Sequence, residues 1–230
     1  MRYLVLELRR ALRRPGTLLF VVGFPGAFYL LESVIFGNGI DILPAMAAWG
    51  VLLAGLLVAP PIVAERAAGW QRQLRLTPLS GAGYLRGKAT VGLLVALPPP
   101  IVVALLAHFT QDVRLDASQW VALVGLTWLG ALPFALLGIL IGQLSTPESV
   151  QQVTIVGMLA LAIFGGMFMP LDTLPNWFGQ VGYAMPSYWL TELGRWVVLP
   201  DREIMLAGGI LLGWALALGA AVTWRFRRDS

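Results

Sequence analysis

Apolar residues in this chain gather into long runs separated by short polar joints. Six of the runs match the thickness of a bilayer: roughly Thr17–Phe36, Ile42–Ala64, Ala89–Phe109, Trp120–Ile141, Val150–Met169 and Ile204–Trp224. A helix of about 20 apolar residues crosses the ~30 Å hydrocarbon core. The expected fold is therefore an all-α membrane protein with six transmembrane helices. An amphipathic interfacial helix precedes the first span, and a re-entrant helical segment precedes the last. Residues 1–230 form a single transmembrane domain, with 1–16 as the interfacial helix, 65–88 as a polar connection and 170–203 as the re-entrant segment.

Composition agrees with that pattern. The 230 residues are 58% hydrophobic and 12% charged, against about 25% charged in soluble domains, and the mean hydropathy is +0.77. A soluble fold of this length could not cover its exterior with polar atoms. Cysteine is absent and His108 is the single histidine, which excludes disulfides, thiol nucleophiles, thiolate metal sites and multi-histidine metal sites.

Thirteen of the sixteen basic residues fall in segments that share one side of the membrane if the chain crosses an even number of times. They are Arg2, Arg9, Arg10, Arg13 and Arg14; Arg66, Arg72, Arg75, Arg86 and Lys88; and Arg225, Arg227 and Arg228. The positive-inside bias makes that side cytoplasmic, with both termini on it. In residues 1–16, Leu4, Leu8, Ala11 and Leu12 share one helical face and Arg2, Arg9, Arg10 and Arg13 the other. That pattern suits a helix lying in the headgroup layer, although the arginines would also serve as a plain positive-inside anchor. Asn176–Val198 is apolar enough for a seventh crossing but contains Pro186, Glu192 and Arg195. A charge at mid-bilayer costs about 2.5–3.5 kcal/mol, and a seventh crossing would strand the basic tail outside. Two short helices hinged at Pro186, dipping into the outer leaflet and returning, satisfy both constraints.

Prolines predict distortions in the first four spans: Pro25-Gly26 in the first, Pro44 and Pro60-Pro61 flanking the second, Pro98-Pro99-Pro100 breaking the third, Pro133 bending the fourth. The 65–88 connection is expected to form a charged helix from Glu65 to Leu76, ended by Thr77-Pro78. Its spacing fits a docking element for a soluble partner and a solvated loop equally well.

The order Glu65-Arg66…Gly69…Leu74…Thr77-Pro78-Leu79…Tyr84-Leu85…Gly87-Lys88 resembles the first cytoplasmic loop of the type-two export permeases of ATP-binding-cassette transporters. The run Gly165-Gly166-Met-Phe-Met-Pro170-Leu-Asp-Thr-Leu-Pro175…Pro186-Ser-Tyr is similar to that family's second hallmark, and the likeness is strongest to its daunorubicin and multidrug-resistance branch. The resemblance implies a non-enzymatic transmembrane subunit of a bacterial cell membrane. It would work with a second permease copy, membrane lipids and two copies of a separate ATPase that holds ATP and Mg, and with no nucleic acid. Glu65, Arg66, Gly69, Arg72 and Arg75 would couple to that ATPase. Arg9, Arg13 and Arg14 would be the counter-charges of Glu65, and Pro170, Pro175 and Pro186 would shape the outer re-entrant motif. The family's path between copies, lined mainly by the second and fifth spans, points to Thr154, Met158 and Leu161 on one stripe of the fifth. Ordinary helix packing uses the same residue types. The implied cargo is a hydrophobic or amphipathic small molecule or lipid, moved outward.

Other chemistry is missing from the sequence. The nearest approach to a phosphate-binding loop, Gly81-Ala-Gly-Tyr-Leu-Arg-Gly87-Lys88-Ala89, has Ala82 for its first glycine and Ala89 for its hydroxyl. No nucleophile elbow or zinc-protease motif occurs, and no metal or cofactor site is expected on this chain. Glu32 is the one acid within a span. An intramembrane carboxylate is a candidate for substrate contact, and an interfacial, hydrogen-bonded acid is the plainer reading. An ion-coupled transporter, which would carry paired mid-membrane charges, and a non-transport scaffold remain the alternatives.

Overall fold

The computed structural model describes residues 2–13, 15–37, 39–69, 80–169, 171–199 and 204–228. In chain order the helices are α1 (Arg2–Leu12), α2 (Pro15–Phe36), α3 (Gly39–Leu56), α4 (Ala59–Ala67), α5 (Gly81–Val95), α6 (Pro98–Thr110), α7 (Ala117–Leu129), α8 (Leu132–Leu144), α9 (Val150–Phe164), α10 (Asn176–Ala184), α11 (Pro186–Val198) and α12 (Ile204–Arg228). No strand occurs among the described residues. Five stretches are long and apolar enough to cross a membrane: Pro15–Phe36, Gly39–Ala67, Gly81–Thr110, Ala117–Leu144 and Ile204–Arg228. The remaining apolar helix, α9, has 15 residues, or about 22 Å at 1.5 Å per residue. The expected run to Met169 stops at Phe164, where Gly165-Gly166 turns the chain and Gly166 takes a φ of +65°.

Proline explains why three spans are each built from two helices. Pro60-Pro61, Pro98-Pro99 and Pro133 all sit in the first turn of the second piece, where a missing N–H is harmless. The turn residues Leu57-Val58, Ala96-Leu97 and Gly130-Ala131 precede them. The second span is thus interrupted about two-thirds of the way along and not merely flanked by prolines, and Pro25 and Pro44 lie inside continuous helices. Each interruption frees backbone groups. At the third span, Leu97 N–H turns to the Leu94 carbonyl at 3.4 Å, leaving the Leu93 carbonyl without its usual donor. The Trp128 indole, from the fourth span, donates to that carbonyl at 2.8 Å.

The second span is the centre of the molecule. Every residue from Leu43 to Leu56 is buried, because α2, α6, α8 and α11 all pack on α3. Close approach depends on glycine. A methyl on Gly55 would lie 2.7 Å from Phe134 Cβ and 2.9 Å from the Ala135 nitrogen, and one on Gly138 would run into the Gly55 carbonyl. The re-entrant segment also fits inside this packing. Leu190 of α11 faces Gly130 at the middle of the fourth span. About two turns later the Val197 carbonyl accepts from Gln119 Nε2, at the start of α7, at 3.4 Å. The segment therefore reaches mid-span depth and comes back to the end where α7 begins. Extended Met185, with Pro186 opening α11, is its hinge, and the buried Glu192 meets Arg195 at 2.8 Å.

Gly138→Ala is expected to lower the unfolding free energy by about 1–3 kcal/mol, as overpacking a tight core does. Gly157→Ala, whose added methyl meets nothing within 4 Å, should be neutral or stabilising by up to ~1 kcal/mol. Thermal unfolding of both variants in detergent checks the contrast; equal midpoints would contradict the packing described.

Candidate functional site

Most of the described basic residues lie at one end of the bundle, where α1, α4, α5, α8 and α12 meet. The second span closes there with Glu65 and Arg66 in the last turn of α4. The Ala68 and Gly69 N–H groups bond back to the Ala64 and Arg66 carbonyls at 3.0 and 3.1 Å. Gly69 then adopts a φ of +68°, the left-handed conformation in which glycine ends helices. The helix expected from Glu65 to Leu76 is therefore broken after Ala67, and its stretch over residues 70–76 lies outside the described residues. Arg72 and Arg75 lie outside the described residues, as do Arg14 and Pro170. On the far side, Ser80 caps α5 by accepting from Gly83 N–H at 3.1 Å. Tyr84, Arg86 and Lys88 are thus already helical, so part of the connection expected over 65–88 belongs to α5, while residues 70–79 lie outside the described residues. The false phosphate-binding loop lies inside this same helix.

Lys88, the chain's single lysine, organises the end. Its ammonium donates to Glu7 Oε2 of α1 at 2.6 Å and to Glu65 Oε1 of α4 at 2.5 Å. The side chains of Lys88, Glu7 and Glu65 are only 3%, 7% and 14% exposed. Tyr84 hydroxyl donates to Glu65 Oε2 at 2.8 Å, Arg10 reaches Glu7 Oε1 at 3.4 Å, and the ammonium stands 5.5 Å from the Tyr84 ring centre. A buried ammonium needs paired anions, and here two carboxylates from separate helices supply them. Opening such a pair by deleting one partner costs about 3–5 kcal/mol.

This geometry corrects the expected counter-charges of Glu65. Arg9 and Arg13 are exposed and form no ion pair with it among the described residues. The interfacial helix contributes an acid, Glu7, and the third span contributes the cation. A signal was present: Glu7 lies between Leu4, Leu8 and Ala11 on the apolar face of α1, a position where a carboxylate has to find a partner.

Arg66 points away from this cluster. Its guanidinium donates to the Gly142 and Ser145 carbonyls at 3.0 and 3.2 Å, filling acceptors left open at the C-terminus of α8, where a cation is also favoured by the helix dipole. Gln143 Nε2 in turn donates to the Val222 carbonyl of α12 at 3.3 Å, and Tyr84 stacks on Phe226. A cavity of about 330 Å³ opens between α1, α4 and α5, with Ala54, Leu57, Pro61, Val91 and Val95 on its apolar wall and Glu7, Glu65 and Lys88 on its charged one. In the short joint after α8, Thr146 N–H donates to the Ser149 hydroxyl. Hydrogen bonds, first from the Thr146 side chain, hold the Glu148 carboxyl below the usual carboxylate range.

The remaining candidates are dispersed. Thr154 and Met158 are buried and Leu161 half-buried against the core, and the Thr154 hydroxyl donates to its own helix at Val150 O. The stripe they form packs inside the chain, while Val153, Val156, Leu159 and Ile163 face outward from α9. Glu32 is buried on α2, near the end opposite the basic cluster. Pro175 precedes α10 and Pro186 opens α11. No group of three or more acids and histidines that could hold a metal occurs among the described residues.

Residues 3–199, which include the Lys88 cluster and the re-entrant segment, match the family described as ABC-2 type transporter. The chain belongs to the ABC-2 type transporter family. It is also 29% identical over 195 residues to the "Putative transport permease YvfS" of Bacillus subtilis (strain 168), covering 80% of this chain and 79% of that one. This ABC-2 permease is thus a multi-pass membrane transport subunit of an ABC transporter, a family that implies association with an ABC ATPase and a membrane-embedded partner.

Arg66→Met should lower the stability of the permease by about 1.5–3 kcal/mol, the range for hydrogen bonds to a charged group. Chemical unfolding in detergent measures it. A loss below ~0.5 kcal/mol, the level of a surface change, would show that α8 does not depend on this contact.

Proposed function

We propose that this ABC-2 permease is the membrane half of an ATP-driven exporter of hydrophobic or amphipathic small molecules or lipids, of the daunorubicin and multidrug kind. Two copies form the pathway, and two separate ATPase subunits, which carry ATP and Mg, seat on the 68–80 connection. The basic end faces the cytoplasm of a bacterial cell, with both termini on that side. The observation that carries this reading is the anchoring of the connection at both ends. Glu65 and Arg66 fix its start to α5 and α8, and Lys88, on the helix that follows it, closes the same cluster. A connection gripped on both sides moves its helices when a bound partner moves it; a solvated loop with free ends would not. The concentration of basic residues there supports the orientation. The outward apolar face of α9 favours greasy cargo.

Purification of the intact chain in mild detergent from its native host should bring down an ATP-binding-cassette ATPase in stoichiometric amount, identified by mass spectrometry. Reproducible absence of an ATPase, with the permease folded, would reject the reading. A tag at Ser230 should resist protease added to intact cells and be cut once the membrane is opened. Cleavage in intact cells would overturn the orientation.

A further inference from the structure

We propose that Lys88 is a positioning residue: its ammonium is the joint through which movement of α4 reaches the interfacial helix. The inference rests on the function proposed above. Glu7 is 81 residues from Lys88 in sequence and Glu65 is 23, so the contact unites three helices that chain continuity does not hold together. α1 packs more on α5 than on α2, its neighbour in sequence.

The cluster is closed as well as buried. Each of its four carboxylate oxygens has its own donor: Lys88 and Arg10 on Glu7, Lys88 and Tyr84 on Glu65. Charge-assisted bonds this short are among the strongest in a protein, and a fully satisfied network is stiffer than its separate pairs. Beside it, the cavity between α1, α4 and α5 leaves a gap where packed side chains would otherwise bind these helices. The joint is therefore held by charge more than by shape.

That arrangement transmits displacement for an electrostatic reason. If α4 moves, Glu65 carries the ammonium with it or leaves it behind. A buried ammonium left with half its anions is strongly disfavoured, so Glu7 and α1 follow. A compact ammonium can donate to two carboxylates in different directions, whereas a guanidinium presents a flat fork. The single lysine among fifteen arginines stands where the first geometry is required.

The test uses the complete permease–ATPase complex in lipid nanodiscs, with ATP as the only added ligand. Two readouts are taken, ATP hydrolysis and amide hydrogen exchange over residues 4–13. Lys88→Met should raise exchange in that helix about tenfold, reporting local opening, and lower hydrolysis by about fivefold while the ATPase still co-purifies. The exchanged pair Glu7→Lys with Lys88→Glu keeps one cation between two carboxylates and should restore both readouts to within about twofold, as pairwise coupling demands. Lys88→Glu alone should behave like Lys88→Met or worse. If Lys88→Met does not fold, the exchanged pair decides: recovery of a folded, active complex supports the joint, and failure overturns it. Unchanged exchange or unchanged hydrolysis in a folded Lys88→Met complex also overturns it, as does an exchanged pair no better than the single variants. Should no ATPase accompany the wild-type chain, the proposed function fails, and the exchange readout still judges whether Lys88 holds α1.

Discussion

Hydrocarbon offers no hydrogen bonds, so every backbone group a helix releases has to be met by another part of the protein. This constraint shapes the whole bundle, because three of its spans are interrupted at prolines. The interruptions lie against one another. Gly55, just before the break in the second span, receives Phe134 and Ala135 from just after the break in the fourth, and Gly92, before the break in the third, meets Val58 and Ala135. The Trp128 indole closes the Leu93 carbonyl. Bent helices that would be unstable singly become mutual supports, and α3 is enclosed on all sides as a result.

Such a centre divides the molecule into two regimes. At mid-depth the helices touch through glycine and backbone, where close packing is the attraction and there is no hydrophobic drive between helices. At the basic end they touch through an ion cluster and a guanidinium that fills helix-end carbonyls. Glycine contacts let helices turn about each other within a narrow range and resist separation. Ion clusters resist re-solvation of either partner, so they fix which helices travel together.

The span pattern was legible because bilayer thickness imposes a length that composition cannot disguise, and the charge asymmetry disposed of a seventh crossing. Where the reading failed, local signals had been outweighed by a pattern. Ala67-Ala68-Gly69 carried a helix stop, but the charged residues beyond it looked continuous with the helix before. The fifth span was drawn to Met169 on hydropathy, although Gly165-Gly166 permits the turn observed. Thr154 and Met158 shared a stripe, and a stripe alone does not say whether it faces core or pathway; within this chain α9 packs on α3, α4, α8 and α11 and buries both residues. The partner of Glu65 was the hardest to read. Lys88 is 23 residues away, and only the fold reveals that the third span begins at Gly81 and carries it beneath α1.

The Lys88 cluster also bears on why the polar connection is short. Had α5 begun at Ala89, as hydropathy suggested, Lys88 would sit in a solvated loop, where an ion pair contributes at most about 1 kcal/mol. Two turns of additional helix, started by the Ser80 cap, move the lysine from water to a site where its side chain is 3% exposed. The same ion pairs then become costly to open. Eight residues of helix before the apolar run thus bring this charge into a buried cluster that joins α1, α4 and α5.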